Sequence, residues 1–345
     1  MPIDPIALAR QLIDIPSPTG AESDVAAFVE SRVSALGFEC RRQEVAPDRF
    51  NVLARTGAPP RVVLCSHLDT VPPFFSSRED ETCIYGRGAC DTKGIIAAMI
   101  AAGEKLIAHS VNEFAFLFVV GEETDSVGAK WANRELGDLG SEFLVVGEPT
   151  ESKFVKASKG AFTCTVVFKG VSGHSAYPAR GDSAVMKLVA AVAEIASLDW
   201  GSHPELGRAT VNVGRIAGGE KANVIAGRAE ADMIFRTVGS PREVQTRLEE
   251  ILRRHDGEIT FTHGNAPTFM NVPAGEAGAV VSFNTDVPHL PRFGAPFLFG
   301  PGSILDAHGP EERIEKKDLL SAVGTYEKLV IDLLAGKVEV HGSNR

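Results

Sequence analysis

The 345-residue sequence is short of several things, and each shortage excludes a class of protein. No stretch approaches the roughly 18 uninterrupted apolar residues of a membrane span. The start, Met1-Pro-Ile-Asp-Pro5, has neither a basic segment nor an apolar signal core, so a cytoplasmic protein without a membrane partner is expected. Positive charge is scarce: 35 Lys and Arg stand against 45 Asp and Glu, and the formal net charge of -10 with no basic run argues against a nucleic-acid partner. Cysteine is limited to Cys40, Cys65, Cys83, Cys90 and Cys164, an odd number with no C-x-x-C pair. That removes thiolate zinc knuckles and fits reduced thiols in a reducing compartment. Cys65 and Cys90, close to candidate ligands, read as small buried apolar residues. Internal repeats and low-complexity segments are also missing.

What is present is an ordinary globular composition, 44% hydrophobic and 23% charged, on a chain long enough for two domains. Up to about residue 158, helix-like and strand-like segments alternate. "ESDVAAFVESRVSAL" (22–36), "TKGIIAAMIAAGEKLIA" (92–108) and "TDSVGAKWANREL" (124–136) have helical character, whereas "RVVLC" (61–65), "FAFLFVV" (114–120) and "EFLVV" (142–146) are short apolar runs typical of buried parallel strands. The pattern predicts an α/β sheet covered on both faces. From "AFTCTVVFKG" (161–170) onward the order becomes strand, helix (182–198), strands (209–216 and 228–237), helix (240–254) and strand (258–263). That βαββαβ order is ferredoxin-like. "APFLFGPGS" (295–303) and the amphipathic 316–336 then return to the first domain. The expected organisation is a catalytic domain of 1–158 and 264–345 interrupted by a small domain of 159–263.

In an α/β sheet, ligands collect at the carboxyl ends of the strands. His67 and Asp69 follow the first apolar run, Glu122 and Glu123 the second, and Glu148 the third, which delivers one imidazole and four carboxylates to one rim. Like charges a few ångströms apart do not all stay ionised unless cations neutralise them. A donor set of imidazole and carboxylate without sulfur suits zinc, and also cobalt or manganese. Each piece has a plainer reading: a histidine at a strand end is commonly structural, and a Glu-Glu pair commonly starts a solvated helix.

Six motifs then occur in an order that resembles the aminoacylase-type dizinc hydrolases, the family of acetylornithine deacetylase, succinyl-diaminopimelate desuccinylase and carboxypeptidase G. They are "SHLDTVP" (66–72), "YGRGACDTKGIIAAM" (85–99), "GEETDSVGA" (121–129), "VVGEPT" (145–150), "GVSGHSAYP" (170–178) and "FGPGSILDAHGPEERI" (299–314). The resemblance implies a mostly parallel α/β dizinc catalytic domain with an inserted ferredoxin-like lid that forms a homodimer. It implies two Zn²⁺, replaceable by Co²⁺ or Mn²⁺, held by His67 and Glu148 on one side and Glu123 and His308 on the other, with Asp91 bridging. Asp69 matches the residue that holds the His67 ring by its other nitrogen. Glu122 resembles the general base that takes a proton from a metal-bridging hydroxide's parent water and passes one to the leaving amine. In the lid, His174 resembles an oxyanion-stabilising residue reaching a dimer mate's site, and Arg236 and Asn223 resemble residues that receive the substrate α-carboxylate. For these the plain readings are a surface histidine and an Arg236 ion-paired across its strand face to Asp232 or Glu230. Gly302 and Ser303 of "FGPGS" stand where a loop faces substrate, although Gly and Pro alone imply only a turn.

Three departures narrow the expectation. Ala226 replaces a proline common after "NVI", and Gly121 replaces an aspartate common before the Glu pair. "KASKGAF" (156–162) stands where desuccinylases carry arginines, with Lys156 and Lys159 as partial substitutes. The expected activity is therefore removal of a short acyl group, acetyl first, from a small N-acyl amino acid. The alternatives are a desuccinylase, a dipeptidase or carboxypeptidase on the same scaffold, and a metal-binding scaffold without catalysis.

Overall fold

Asp4 accepts the N–H of Ile6 at 2.9 Å and of Ala7 at 3.3 Å, and Pro5 takes the first helical position, so α1 (Pro5–Ile13) starts on a capped end. The structure, a computed structural model, describes residues 2–338; Met1 and the last residues of the expected 264–345 segment, 339–345, lie outside the described part. The chain divides into two compact units, one of Met1–Lys156, Met270–Ala279 and Thr285–Arg345, the other of Ala157–Phe269 and Val280–Asn284.

The first unit carries α2 (Ser23–Ala35), β1 (Glu39–Ala46), β2 (Arg49–Arg55), β3 (Val62–His67), α3 (Lys93–Ala108), β4 (Phe114–Val119), α4 (Val127–Leu136) and β5 (Phe143–Val146). Its six-stranded sheet has the order β1-β2-β4-β3-β5, closed by the strand Ala295–Leu298 beside β5. β3 runs parallel to β4 and β5, and Ala295–Leu298 parallel to β5, whereas β1 and β2 form an antiparallel hairpin on one edge. Every residue of β3 and β4 is buried, which is why both read as continuous apolar runs. Phe114 and Phe116 meet edge to face at 5.6 Å, and Gly103 of α3 leaves room for the Phe116 ring: a Cβ there would sit 2.4 Å from it. The closing helix, Lys316–Leu334, buries Tyr326, whose hydroxyl donates to the Phe299 carbonyl at 2.8 Å.

The second unit is built of β6 (Gly160–Lys169), α5 (Ala184–Ser197), β7 (Thr210–Gly218), β8 (Arg228–Thr237), α6 (Pro241–Arg254) and β9 (Gly257–Asn265). The sheet order β7-β8-β6-β9, antiparallel throughout, is the ferredoxin-like arrangement. Strict alternation sets its two faces: Ala229, Ala231, Met233 and Phe235 of β8 are buried in one core with Leu188 and Ile195 of α5 and Leu248 and Leu252 of α6. The intervening Glu230 and Asp232 are ion-paired to Arg215 at 3.0 and 3.2 Å, and Glu230 also to Arg228 at 3.1 Å.

Candidate metal centre

The three adjacent parallel strands β4, β3 and β5 end on one rim, and the rim carries the acids. His67 is the last residue of β3, Glu122 and Glu123 follow β4, and Glu148 follows β5. Asp91 enters from the loop directly before α3, and His308, at φ 61°, from the loop before the closing helix. Asp91 lies between the two histidines: its Oδ1 is 3.0 Å from Nε2 of His67 and its Oδ2 3.3 Å from Nε2 of His308. Glu148 Oε2 is 3.9 Å from the same His67 nitrogen, and Glu123 Oε2 is 3.0 Å from that of His308. The structure thus brings His67, Asp91, Glu123, Glu148 and His308 into one cluster.

Behind them, the His67 ring is set by its other nitrogen. Nδ1 donates to the main-chain carbonyl of Asp69 at 3.0 Å, with the Asp69 carboxylate 3.6 Å away. That carboxylate is itself enclosed by donors: the N–H groups of Gly121 (2.9 Å), Glu122 (3.1 Å) and Glu123 (3.3 Å), and the Thr19 hydroxyl (2.7 Å). Asp69 therefore orients the histidine and the turn bearing the two glutamates together.

Crowding and burial act on every group here. Burial opposes a charged His67, yet Asp69 and Asp91 hold its pKa well above the ordinary histidine value. The contacts of His308 to Asp91 and Glu123 push it up to about 10. Burial also raises the carboxyls of Glu122 and Glu148 well above the usual range, and the neighbouring carboxylates add to this. Despite burial, the two histidines pull Asp91 below the usual range. A rim in which some acids are pushed toward neutrality while histidines are pushed toward charge is short of positive charge.

Divalent cations fit this donor set. His67, Asp91 and Glu123 each bring one ligand atom within 4.8 Å of the others. Oε1 of Glu148 is buried without a hydrogen-bond partner, a donor-free acceptor of the kind a cation satisfies. Oxygen and imidazole nitrogen with no thiolate are ligands for zinc, manganese or cobalt. Cys65 and Cys90 are buried free thiols whose pKa burial pushes well above the ordinary value, so they stay neutral.

The remaining expected residues lie as follows. Gly302, at φ 86°, packs against Cys90, where a Cβ would come within 2.6 Å of the Cys90 Cβ, and Ser303 bridges to Thr150. In the second unit, exposed His174 pairs with Val224 in a short antiparallel ladder, its Nδ1 accepts the N–H of Ala176 at 3.1 Å, and Ser175 N–H donates to the Asn223 carbonyl at 3.1 Å. Arg236 sits on β8 opposite Thr210 and Ala161, on the face of Glu230 and Asp232. Sequence reasoning missed Thr19, and it missed Asp286, a buried carboxyl in the first unit that burial pushes up to about 6 and that interacts with His67. It also missed Arg87 and Glu312, although both stand inside quoted motifs.

Comparison with known proteins agrees with this fold and rim. The model of a peptidase dimerisation domain matches residues 156–260, and that of peptidase family M28 matches residues 51–159. A peptidase M20 domain-containing protein of Schizosaccharomyces pombe is 34% identical over 337 residues, covering 94% of this chain and 84% of its own length. A probable carboxypeptidase of Talaromyces marneffei is 32% identical over 390 residues, covering 94% of this chain and 85% of its own. Among solved structures, an M20 family metallo-carboxypeptidase of Sulfolobus solfataricus superposes with a TM-score of 0.81 at 17% identity, over 95% of this chain and 98% of that one. A tripeptidase of Staphylococcus aureus gives 0.78 at 22% identity, over 96% and 98%. The fold is the one shared with that M20 family metallo-carboxypeptidase, and the rim carries a His, Asp and Glu group able to hold a metal ion. The chain belongs to the M20 peptidase family.

Proposed function

We propose that this chain is a two-metal hydrolase that releases a C-terminal amino acid by cleaving the amide bond to a small aminoacyl or acyl group. The observation that carries the reading is the position of Asp91, which turns one carboxylate oxygen to His67 and the other to His308, as a ligand shared by two neighbouring ions would. His67 and Glu148 would hold one cation, Glu123 and His308 the other, with Asp91 common to both; zinc suits the donors best, with cobalt or manganese as substitutes. When bound, such ions supply an acidified water and an electrophile for the scissile carbonyl oxygen.

The protein's own part is proton handling and orientation. Glu122, whose carboxyl burial and neighbouring acids push upward in the metal-free protein, is assigned to accept a proton from the attacking water and return one to the departing amine. Its main-chain N–H is fixed on Asp69, which keeps its side chain from drifting off the reacting atoms. In the second unit, His174 is assigned to the oxyanion, Arg236 and Asn223 to the substrate carboxylate, and Gly302 and Ser303 of the first unit to the substrate-facing loop.

The names of the relatives, probable carboxypeptidases, support release of the C-terminal residue, and a dipeptide is the smallest peptide that offers one, so it is taken as the first substrate class. An N-acetyl amino acid, which offers the same amide and carboxylate, is the second. Lys159 is buried and donates to the Arg208 carbonyl at 2.6 Å, so it is already engaged, which weakens the case for a succinyl substrate with a second negative charge. A homodimer formed through the second unit is part of the proposal. Met186 and Val189 on α5 and Ile216 on the edge strand β7 are large apolar side chains left exposed there, and the match to a peptidase dimerisation domain covers them. Five free thiols support a reducing, cytoplasmic setting. The test is a panel of dipeptides and N-acetyl and N-succinyl amino acids offered to zinc-loaded protein. Dipeptides are expected to turn over fastest, Glu122→Gln is expected to abolish turnover while keeping zinc, and full activity of that variant overturns the base assignment.

A further inference from the structure

A buried ion pair outside the ligand cluster joins the two loops that deliver Asp91 and His308. Arg87 and Glu312 are both buried, with Arg87 Nη1 donating to Glu312 Oε2 at 2.7 Å. The guanidinium also donates through Nε to the Pro73 carbonyl at 3.2 Å and lies over the Phe75 ring at 5.0 Å. The second carboxylate oxygen of Glu312 turns to the main chain, accepting the N–H of Cys90 at 3.3 Å and of Asp91 at 3.2 Å. The Glu312 carbonyl accepts the N–H of Gly86 at 3.0 Å. One residue therefore grips the segment 86–91 by its side chain and its main chain, four positions after His308.

A buried salt bridge is by itself weak evidence of stabilisation, since desolvating both charges offsets most of their attraction. A role in stability alone would also be met by an apolar pair of similar volume. The contacts to the N–H groups of Cys90 and Asp91 would not be met, because an apolar side chain accepts no hydrogen bond. We infer that Glu312, held by Arg87, is a positioning residue that sets the spacing between Asp91 and His308 by accepting the N–H groups of Cys90 and Asp91. The inference rests on the reading of Asp91 and His308 as metal ligands, and it concerns the supports of those ligands, which govern metal affinity as well as ring and carboxylate orientation.

The test uses Zn²⁺ as the probe, with affinity read by competition against a chromophoric chelator and folding read by thermal melting. Arg87→Met with Glu312→Gln removes both charges but keeps an amide oxygen for the two N–H groups, and it is expected to bind zinc within about threefold of the unaltered protein. Arg87→Met with Glu312→Met removes the acceptor as well; it is expected to melt cooperatively yet bind zinc about 10- to 100-fold more weakly. Equal zinc affinity in the two double variants overturns the proposal and leaves the pair with a packing role only. Asp91→Ala is the companion measurement: if it keeps zinc affinity, the ligand reading fails, whereas loss of zinc in Asp91→Ala beside equal affinities in the double variants sinks the positioning role alone. Amide hydrogen exchange on the unaltered, metal-free protein gives a reading that depends on no variant. The N–H groups of Cys90 and Asp91 are expected to be strongly protected without metal, and exchange at the rate of exposed loop amides overturns the proposal.

Discussion

Asp69 accepts the main-chain N–H of Glu122 at 3.1 Å, so the proposed general base is held by the residue that also sits against the His67 ring. One carboxylate thereby couples the orientation of a ligand to that of the base. Burial raises the pKa of Asp69, but its contacts with His67, Thr19 and Glu122 outweigh this and keep it below the usual carboxylate range, so it stays an acceptor for every donor around it.

Asp69→Asn is expected to lower kcat about 10- to 100-fold with little change in bound zinc. The amide places an NH₂ among N–H and O–H donors, where only an acceptor is satisfied. Steady-state kinetics and metal analysis on the same sample check this. Thr19→Val, which removes one of four donors, is expected to cost less than Asp69→Asn.

Metal uptake at pH 7 is expected to release protons. In the metal-free protein, His308 is raised to about 10 by Asp91 and Glu123 and is therefore protonated, whereas a ligating imidazole is neutral. The sign follows: the stabilisation this charge gives the metal-free protein is complete below the ordinary histidine value, about 6.5, and fades as pH rises through about 10. Zinc affinity accordingly increases with pH over that window. Calorimetric titration in buffers of different ionisation enthalpy counts the protons.

Gly94→Ala is expected to destabilise the first unit by about 1–3 kcal/mol. A Cβ at this position, the second residue of α3, would lie 2.3 Å from the Ala89 carbonyl oxygen and 3.0 Å from Ile314. The close approach holds the start of α3 against the loop carrying Asp91, so zinc affinity is expected to fall with the melting temperature. Thermal melting with and without zinc separates the two effects.

Replacing Met186 and Val189 by Asp is expected to shift a dimer toward monomer without unfolding the second unit, because both side chains are largely exposed. Sedimentation velocity reads the change. If His174 acts in a second copy's site, His174→Ala and Glu122→Ala samples regain turnover when mixed under conditions of proven subunit exchange; no recovery rejects the trans role.

The legible part of the molecule was the part buried on two sides. β4 and β5 are apolar throughout and β3 is apolar up to Cys65 because helices cover both faces of the sheet, and their ends pointed directly to His67, Glu123 and Glu148. The hairpin of β1 and β2 was not foreseen. β1 is an edge strand whose exposed positions carry Arg41, Arg42 and Glu44, so its pattern looks like a solvated loop. α1 was also missed, although Asp4 followed by Pro5 is a cap and first-turn signal. Asp91 and His308 come from loops with no periodicity, and only the motif resemblance reached them. Arg87 and Glu312 were hidden for a different reason: two opposite charges far apart in the chain read as surface residues until folding buries them against each other.

The most direct measurement is dipeptide hydrolysis by the protein as purified, after exhaustive chelation, and after return of zinc or cobalt. Turnover is expected to vanish on chelation and to return with either metal, reaching full rate at two equivalents per chain. Turnover that persists with the metal removed, or its absence from dipeptides and N-acyl amino acids alike in the fully loaded protein, contradicts the two-metal hydrolase.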